Sequence, residues 1–376
     1  MEPAYGTVIA AVRLLWRIQG LKFTITGMEN LPAKGGAVVA INHTSYFDFT
    51  FAGLPFYRLK PSRLVRFMAK QEVFDHAVTG PIMRSLRHIP VDRSSGAASF
   101  DAAVRALEDA RVAPEEVELI IVATVTPDYA FPSTACLVAD RLGMRKAAAF
   151  DLEAGCSGFI YAAAVASQFI LSGMYSTALV IGGETLSKIT NWEDRSTCVL
   201  FGDGAGAAVL RTVEDGYGFL GYDLGSDGSG GELLIIPAGG SRYPASVETV
   251  QQKMHTIHMS GNEVFKFAVR IMGDSAVRAL ERAGLNKGDL DLLIPHQANM
   301  RIVDSAVKRL GISPDKVVIN LDRYGNMSAA SIPVAMDEAV RTGRVKYGDI
   351  VLAVGFGAGL TWGAIAMKWA RKGGEE

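Results

Sequence analysis

The sequence is short of the features that mark secreted, disulfide-rich or metal-binding proteins. Its 376 residues include three cysteines, Cys136, Cys156 and Cys198, which form neither a CxxC pair nor a zinc-ligand pattern. The six histidines are scattered without ligand spacing, so no metal site is predicted. An odd cysteine count without a secretion signal favours a reducing compartment, and we expect a cytoplasmic protein.

The chain also lacks an excess of charge and a long apolar run. Its formal net charge is -1 at pH 7, so no overall field attracts nucleic acid, and no nucleic-acid partner is expected. Arg13 and Arg17 interrupt the apolar stretch TVIAAVRLLWRIQG, which excludes a signal-peptide core and a spanning helix. An amphipathic helix remains, which leaves open a peripheral membrane contact through the amino-terminal segment.

A glycine-rich stretch, FGDGAGAAV at 201–209, lacks the patterns of nucleotide-binding loops. It has neither GxxxxGK[ST] nor a complete GxGxxG, so it predicts a turn that leads into a strand.

What the sequence does contain is an internal repeat. Residues 103–122, AVRALEDARVAPEEVELIIV, resemble residues 276–295, AVRALERAGLNKGDLDLLIP, and both predict a helix, a turn and a buried strand. RLGM at 141–144 parallels RLGI at 309–312 in the same order. A repeat of roughly 170 residues indicates a duplicated α/β half rather than a solenoid unit.

The repeat places AGCSG opposite YGNMSAAS, so Cys156 and Asn326 are expected in related strand-to-helix turns that face one seam. A thiol at a helix N-terminus is favoured as thiolate, and Gly155 and Gly158 permit close approach of a substrate or another backbone. A cysteine beside an apolar helix is, by itself, most often an inert core residue. Cys136 and Cys198 are read in that way.

Partners for a nucleophile occur in the second half. His296 of PHQAN follows the strand DLLI, and with Asn326 it offers two hydrogen-bond donors to a developing oxyanion. GFGAGLTWG at 355–363 adds a turn whose N–H groups can complete an oxyanion hole. A turn histidine and a tight glycine turn are the simpler alternatives. The set fits a thioester substrate.

Six motifs of this region together resemble beta-ketoacyl-ACP synthase III, from about residue 100 onward: AGCSGF, FGDGAGAAVL, MSGNEVFKFAV, PHQANMRI, GNMSAAS and GFGAGLTWG. The resemblance implies a duplicated thiolase-like α/β fold with layers α/β/α/β/α. It also implies condensation of an acyl-CoA primer with malonyl-ACP, the first step of fatty-acid synthesis, by a homodimer without a cofactor. The opening strand of that fold and an RTGI-containing segment of the CoA site are missing from the sequence.

The same resemblance assigns roles to individual residues. Cys156 takes the acyl group, His296 and Asn326 stabilise the enolate from malonyl-ACP, and the N–H groups of Cys156 and Ala358 form the oxyanion hole. The resemblance places four further residues along the pantetheine and CoA tunnel and one at the acyl pocket of the dimer interface. The tunnel residues are Arg195, Gly261, Asn299 and Arg301, and the pocket residue is Phe131. The simpler alternatives are salt bridges for the arginines, turns for Gly261 and Asn299, and core packing for Phe131.

The first hundred residues resemble a different family, the glycerolipid acyltransferases, through INHTSYFDF, RFMAKQEVF and HIPVDRSSG. This resemblance implies that His43 deprotonates an acceptor hydroxyl, that Asp48 orients the imidazole, and that Arg93 lies near an acceptor phosphate. The FPEGTR-type motif of that family is absent, and a surface histidine with an unrelated aspartate is the alternative.

The expected organisation is therefore a partial acyltransferase-like segment at 1–100, an incomplete first thiolase-like half at 101–210 and a second half at 211–376. The seam lies in SFDAAVRALEDA without a Pro-, Gly- or Ser-rich linker, which favours a recombined or misassembled reading frame over a natural fusion. Three hypotheses of function follow. The chain catalyses thioester condensation, it transfers an acyl group to 1-acylglycerol-3-phosphate, or it is an inactive hybrid.

Overall fold

A computed structural model describes residues 3–25, 28, 54–56, 58, 68–77, 79–86, 89–91 and 95–371. The chain divides into two compact units, Met1–Arg93 and Ser94–Glu376. His43, Asp48 and Arg93, for which the sequence predicts acyltransferase roles, lie outside the described residues.

The first unit contains short elements around one long helix. Strands β1 and β2 pair in parallel. In α1, Trp16 is buried and packs on Phe23, with 4.7 Å between the ring centroids. No helix in the described part of the chain is both long and apolar enough to cross a membrane. The elements are α1 (Pro3–Ile18), β1 (Met68–Lys70), α2 (Gln71–Asp75), α3 (Thr79–Ser85) and β2 (Ile89–Val91).

The second unit begins with a four-stranded sheet in the order β4-β3-β5-β6. Strand β3 pairs in parallel with β4 and β5, whereas β5 and β6 are antiparallel. The helix that contains the predicted seam belongs wholly to this unit. The elements are α4 (Ser95–Ala110), β3 (Leu119–Ala123), α5 (Thr134–Arg141), β4 (Ala148–Leu152), α6 (Gly158–Leu171), β5 (Thr177–Thr185) and β6 (Asp203–Arg211).

A second sheet follows, in the order β10-β11-β12-β7. Strands β10 and β11 are parallel, and β12 is antiparallel to both β11 and β7. The elements are β7 (Gly218–Ser226), β8 (Leu234–Ile235), α7 (Val247–Gln251), β9 (His258–Met259), α8 (Gly261–Arg282), β10 (Leu292–Pro295), α9 (Met300–Leu310), α10 (Leu321–Tyr324), α11 (Ser331–Arg341), β11 (Ile350–Gly357) and β12 (Thr361–Lys368).

The two sheets are copies of one topology that differ by one strand. A bridge from Leu293 to Val317 extends the second sheet beyond β10, as β4 extends the first beyond β3. Strands β3, β5 and β6 thus correspond to β10, β11 and β12. Strand β7 has no counterpart beside β6 among the described residues. That the first half lacks its opening strand stays a prediction, and the described residues contain no strand in that place.

Hydrophobic residues form three cores that separate five layers. One core lies between the sheets and includes α6 and α11. The second packs α8 and α9 on the outer face of the second sheet, and the third packs α4 and α5 on the outer face of the first. This order gives α/β/α/β/α. The glycine-rich stretch before Val209 forms β6, so the prediction of a strand there is confirmed.

Candidate active site

The thiol of Cys156 lies in a single 3₁₀ turn, Gly155–Ser157, between β4 and α6. The repeat places a matching 3₁₀ turn, Ser328–Ala330, immediately before α11. The two turns meet: a Cβ atom added at Gly158 would lie 3.3 Å from the Cβ of Ala329. The related strand-to-helix turns expected from the sequence are thus present in the structure.

Glycines bring the Cys156 turn against the end of β11. Gly155 has φ +54°, and a Cβ added there would lie 2.7 Å from the backbone nitrogen of Ala358. A Cβ added at Gly357 would lie 2.3 Å from the backbone nitrogen of Cys156. Side chains at either position would separate the two backbones. The amides of Cys156 and Ala358 are therefore neighbours because glycines stand next to both.

The hydroxyl of Thr361 fastens this contact from β12. Thr361 Oγ1 donates to the carbonyl oxygen of Ala154 at 2.8 Å and lies 3.1 Å from that of Ala358. One side chain thus links the backbone just before the Cys156 turn to the backbone just after β11.

Burial acts on the thiol in the direction opposite to the sequence-based expectation. Cys156 is 8% exposed, and burial, the largest cause, raises the pKa of its thiol to about 12. The neighbouring Ser328 hydroxyl lowers this pKa, and the charge of Glu184 raises it further. The expectation that the helix N-terminus favours the thiolate stays a prediction, and desolvation of the anion opposes it in the substrate-free protein.

His296 is held at the exit of β10. Its backbone N–H donates to the carbonyl oxygen of Val354 at 2.7 Å, and its ring meets that of Phe356 edge-on at 5.7 Å. A Cβ added at Gly355 would lie 3.4 Å from His296 Cβ and 3.5 Å from the Cys156 oxygen. Gly355 therefore stands between the histidine and the cysteine, in contact distance of both.

The imidazole of His296 is neutral at physiological pH. It is 1% exposed, and burial lowers its pKa to about 3. Its Nδ1 atom has no hydrogen-bond partner in the part of the chain that the structure describes. A neutral ring carries one N–H, so His296 can donate one hydrogen bond to a ligand without adding a charge.

Asn326 is fixed by the strand connection that precedes β6. Its N–H donates to the carbonyl oxygen of Leu200 at 2.9 Å, and its own carbonyl accepts from the N–H of Gly202 at 2.8 Å. The side-chain Oδ1 accepts from the N–H of Ser328 at 2.9 Å. Because the acceptor end of the amide is engaged, the Nδ2 amino group is the end that can donate to a ligand.

Of the four residues predicted to bind CoA or ACP, Asn299 is half-buried and the other three are exposed. Arg195 is exposed, and Gly261 is exposed at the start of α8. Asn299 caps α9 by accepting from the N–H of Arg301 at 2.9 Å, and the Arg301 guanidinium lies 5.0 Å from the Phe265 ring centroid. Phe131 has 86% of its surface exposed.

Sequence reasoning missed three buried polar residues of this region. Gln297 donates to the carbonyls of Pro295 and Val318 at 2.8 and 3.1 Å, and thereby fastens the loop after His296. Glu184 is fully buried at the end of β5, where an acidic residue in the apolar run TALVIGGET was the available signal. Ser328 is buried in a motif that was noted for its asparagine. In the described ranges, no group of three or more His, Cys, Asp or Glu side chains can hold a metal ion.

Three family models match the chain. The model described as 3-oxoacyl-[acyl-carrier-protein] synthase III matches residues 150–228, and the model of the C terminal of that enzyme matches residues 280–369. A model described as acyltransferase matches residues 22–160. The last match begins inside the first unit and continues past Cys156.

Curated relatives and solved structures match the later part of the chain. Beta-ketoacyl-[acyl-carrier-protein] synthase III of Desulfitobacterium hafniense is 71% identical over 274 residues, which cover 73% of this chain and 83% of the relative. The crystal structure of 3-oxoacyl-[acyl-carrier-protein] synthase III from Aquifex aeolicus has a TM-score of 0.68 and 45% identity, and covers 75% of this chain and 87% of that one. The Thermus thermophilus synthase III structure has a TM-score of 0.70 and 47% identity, with 75% and 86% covered.

Proposed function

Because this chain belongs to the beta-ketoacyl-ACP synthase III family, we propose that it condenses an acyl-CoA primer with malonyl-ACP. The product is a 3-oxoacyl-ACP, and the reaction starts fatty-acid synthesis. The observation that carries the proposal is the meeting of the Cys156 turn with the backbone of Ala358 beside His296 and Asn326.

In the first step, the Cys156 sulfur attacks the carbonyl carbon of the acyl-CoA thioester. A carbon–sulfur bond forms to Cys156, the bond to CoA breaks, and the CoA thiolate takes up the proton that the cysteine lost. The N–H groups of Cys156 and Ala358 stabilise the negative oxygen of the tetrahedral intermediate. The glycine contacts support this role because they keep the two amides adjacent.

In the second step, malonyl-ACP loses carbon dioxide, and the thioester oxygen gains negative charge as an enolate. His296 and Asn326 each donate a hydrogen bond to that oxygen. The enolate carbon then attacks the carbonyl carbon of the acyl-cysteine, the carbon–sulfur bond to Cys156 breaks, and the departing thiolate takes up a proton from water. A neutral imidazole and an amide suit this role because they stabilise an anion without a permanent charge that would bind the carboxylate of the starting malonyl group.

The substrates are CoA and ACP thioesters, and we infer that the protein needs no further cofactor. Arg195, Gly261, Asn299 and Arg301 are proposed to receive the phosphopantetheine arm and CoA, and Phe131 is proposed to reach the acyl pocket of a second subunit in a homodimer. The exposure of Phe131 supports a partner at that position. Three free cysteines support action in the cytoplasm.

The first experiment measures intact mass after incubation with acetyl-CoA or isobutyryl-CoA. We expect an added acyl mass on the wild-type protein and none on Cys156→Ala. Folded wild-type protein that gains no mass would contradict the proposed nucleophile.

The second experiment separates the two steps. His296→Ala and Asn326→Ala should keep acylation by acetyl-CoA but lose release of carbon dioxide from malonyl-ACP by roughly 10²–10³-fold, the usual cost of losing one oxyanion donor. Circular dichroism and thermal melting check that the variants fold. Equal losses in both steps would contradict the division of roles.

A second candidate function rests on the acyltransferase model that matches residues 22–160. In this function, His43 would deprotonate the hydroxyl of 1-acylglycerol-3-phosphate, Asp48 would orient the imidazole, and Arg93 would bind the acceptor phosphate. Formation of phosphatidic acid that persists in Cys156→Ala and disappears in His43→Ala would support it. Absence of both activities in folded protein would leave the inactive hybrid as the correct hypothesis.

A further inference from the structure

Glu184 is a buried carboxyl group for which the proposed reaction has no use. It is 0% exposed at the end of β5. Its Oε2 accepts from Thr126 Oγ1 at 2.7 Å and from Thr124 Oγ1 at 3.2 Å, and the backbone N–H of Val125 donates to the same carboxyl at 3.2 Å. A buried acidic group is costly, so a fully hydrogen-bonded one beside a reactive thiol calls for an explanation.

The internal repeat shows how unusual this position is. Pairing registers align β5 with β11, and Glu184 then corresponds to Gly357. Gly357 abuts the backbone of Cys156, which belongs to the opposite half. Glu184 likewise faces the opposite half, at the turn Ser328–Ala330, and the backbone of Ala329 lowers the pKa of its carboxyl through a hydrogen bond. The second half thus has a glycine at this position, Gly357, whereas the first half has an acidic residue, Glu184.

Ser328 lies in a turn that packs both on β5, which carries the acid, and on the start of α6, which follows the thiol. A Cβ atom added at Gly182 would lie 2.3 Å from the carbonyl oxygen of Ala329, and one added at Gly158 would lie 3.3 Å from the Cβ of Ala329. Ser328 has φ +46°, an uncommon value for a residue with a side chain. Its hydroxyl is buried and makes no hydrogen bond of good geometry with any described residue, yet it lies close enough to lower the pKa of both the Cys156 thiol and the Glu184 carboxyl. A hydroxyl held in this conformation between two acids can serve either of them as donor.

We propose that Glu184 is a positioning residue that holds the turn of Ser328 opposite Cys156 and thereby controls the reactivity of the thiol. The inference rests on the proposed function because it takes Cys156 as the nucleophile. It assigns to Glu184 no contact with substrate.

The charge state of Glu184 changes near neutral pH. Burial, the largest cause, raises the pKa of its carboxyl to about 7, against the hydrogen bonds that lower it. The carboxyl faces Thr124 and Thr126 from its own half and Ser328 from the other, and the titratable group that feels its charge is Cys156. When Glu184 ionises, like-charge repulsion opposes the thiolate, so the pKa of Cys156 rises as the pH passes 7.

The test follows alkylation of Cys156 by iodoacetamide, read by mass spectrometry on the peptide that contains it, from pH 5 to pH 9. This readout needs no turnover, so it is independent of whether condensation occurs. In the wild-type protein, the rate should climb less than tenfold per pH unit between about pH 6 and 8, where Glu184 ionises, and regain the full slope above.

In Glu184→Gln, the alkylation rate of Cys156 should climb about tenfold per pH unit throughout. Its rate should equal that of the wild type at pH 5 and exceed it about threefold or more at pH 9, which corresponds to half a pKa unit or more. Glu116→Gln, which removes the same charge from a side chain with 51% exposure, is the matched control and should behave as wild type. A uniform change at all pH values would indicate a merely structural role and overturn the proposal.

Thr126→Val provides a second test if Glu184→Gln fails to fold. The variant keeps the shape of the threonine but removes the 2.7 Å donor to the carboxylate. Loss of that hydrogen bond raises the pKa of Glu184, so the flattened part of the profile should move to higher pH. A wild-type profile without flattening, or a Thr126→Val profile that coincides with wild type, would overturn the proposal. Acyl-CoA labelling that fails while these profiles hold would contradict the condensation and leave this inference intact.

Discussion

The two thiolase-like halves of the second unit share a topology but bury their outer strands to different degrees. In the second half, β12 lies between β11 and β7, and Ala364 and Ala366 are fully buried. In the first half, the register-matched residues of β6 are Ala207 and Val209, which are only partly buried. Among the described residues, β6 therefore has no strand on its outer side, and its residues are less protected from solvent than their counterparts in β12.

The proposed catalytic roles are also divided between the halves. The first half carries the proposed nucleophile in its turn, and the second half carries both proposed hydrogen-bond donors, His296 after a strand and Asn326 before a turn. Each turn rests against the end of a strand from the other half, where Gly357 and Gly182 leave room for it. The site is thus a product of the contact between copies rather than of either copy.

The largest expected effect comes from filling one of these glycine positions. Gly357→Ala would place its Cβ 2.3 Å from the Cys156 nitrogen, so the turn must move. A shift of about 1 Å in a catalytic group costs about a hundredfold in rate, and we expect at least that loss in acylation by acetyl-CoA. Intact-mass kinetics measure it.

A glycine of the first half that contacts the turn after Asn326 should affect decarboxylation rather than acylation. Gly182→Ala would place its Cβ 2.3 Å from the carbonyl oxygen of Ala329, so acylation should survive better than decarboxylation of malonyl-ACP. Gly288→Ala, which has open space around the new atom, is the control for each. Identical effects of the two alanines on both steps would remove the distinction between the halves.

The next effect is a pH dependence of stability carried by Glu184. Its folded pKa of about 7 lies above the ordinary value of 4.5, so its contribution is fully present below pH 4.5 and is lost as the pH rises through 7. Glu184→Gln should therefore gain about 2–3 kcal/mol relative to wild type between pH 5 and pH 8. Urea unfolding at the two pH values measures the difference, and an unchanged difference would refute the raised pKa.

His296 contributes with the opposite sign. Its folded pKa of about 3 lies below the ordinary value of 6.5, so its contribution is fully present above pH 6.5 and is lost as the pH falls. Between about pH 4.5 and 6.5 the two groups offset each other in the wild type. The Glu184→Gln variant keeps only the contribution of His296, so its free energy of unfolding should rise with pH through this interval.

A smaller effect contrasts ion pairs on the two outer strands. Asp223 of β7 has a side chain with 4% exposure and pairs with Arg278 and Arg282 at 2.8 and 2.9 Å. Asp223→Asn should cost about 1–3 kcal/mol because the arginines lose a buried partner but remain partly solvated. Arg211 of β6 pairs with an exposed Glu116, so Glu116→Gln should leave the urea midpoint unchanged. Equal midpoints for the two variants would contradict the difference in burial.

The smallest expected effect is on amide hydrogen exchange. The backbone of β12 bonds to strands on both sides, whereas β6 bonds to β5 alone among the described residues. Peptides from β6 should exchange several-fold faster than peptides from β12 under native conditions. Equal protection would mean that the outer edge of β6 is covered in solution.

Much of the fold and the positions of two site residues were predictable because local sequence patterns repeat along the chain. The order and spacing of the repeated helix–turn–strand segments predicted two halves and the turns of Cys156 and Asn326, and the resemblance to synthase III predicted a missing strand. The synthase III relatives and structures confirm the thiolase-like fold and the family resemblance. The acyltransferase resemblance of the amino-terminal segment is borne out at the level of a family model.

What the sequence did not predict depends on distance rather than on pattern. Whether a helix N-terminus or burial controls the Cys156 thiol depends on how deeply it lies, and no local motif encodes depth. Glu184 was missed for the same reason: its partners Thr126 and Ser328 lie 58 and 144 positions away along the chain, and only the folded structure brings them together. Long-range polar contacts carry no periodicity that could reveal them.

The division of the site between two halves has a consequence for its biosynthesis. About 170 residues separate Cys156 from Asn326, which at roughly 5–20 residues per second is about ten to thirty seconds of translation. During that interval, the emerging first half carries a cysteine whose shielding turn and strand end have not been made. The ribosome therefore finishes the nucleophile well before the surroundings that bury it, and oxidants or chaperones meet the thiol in its least protected state.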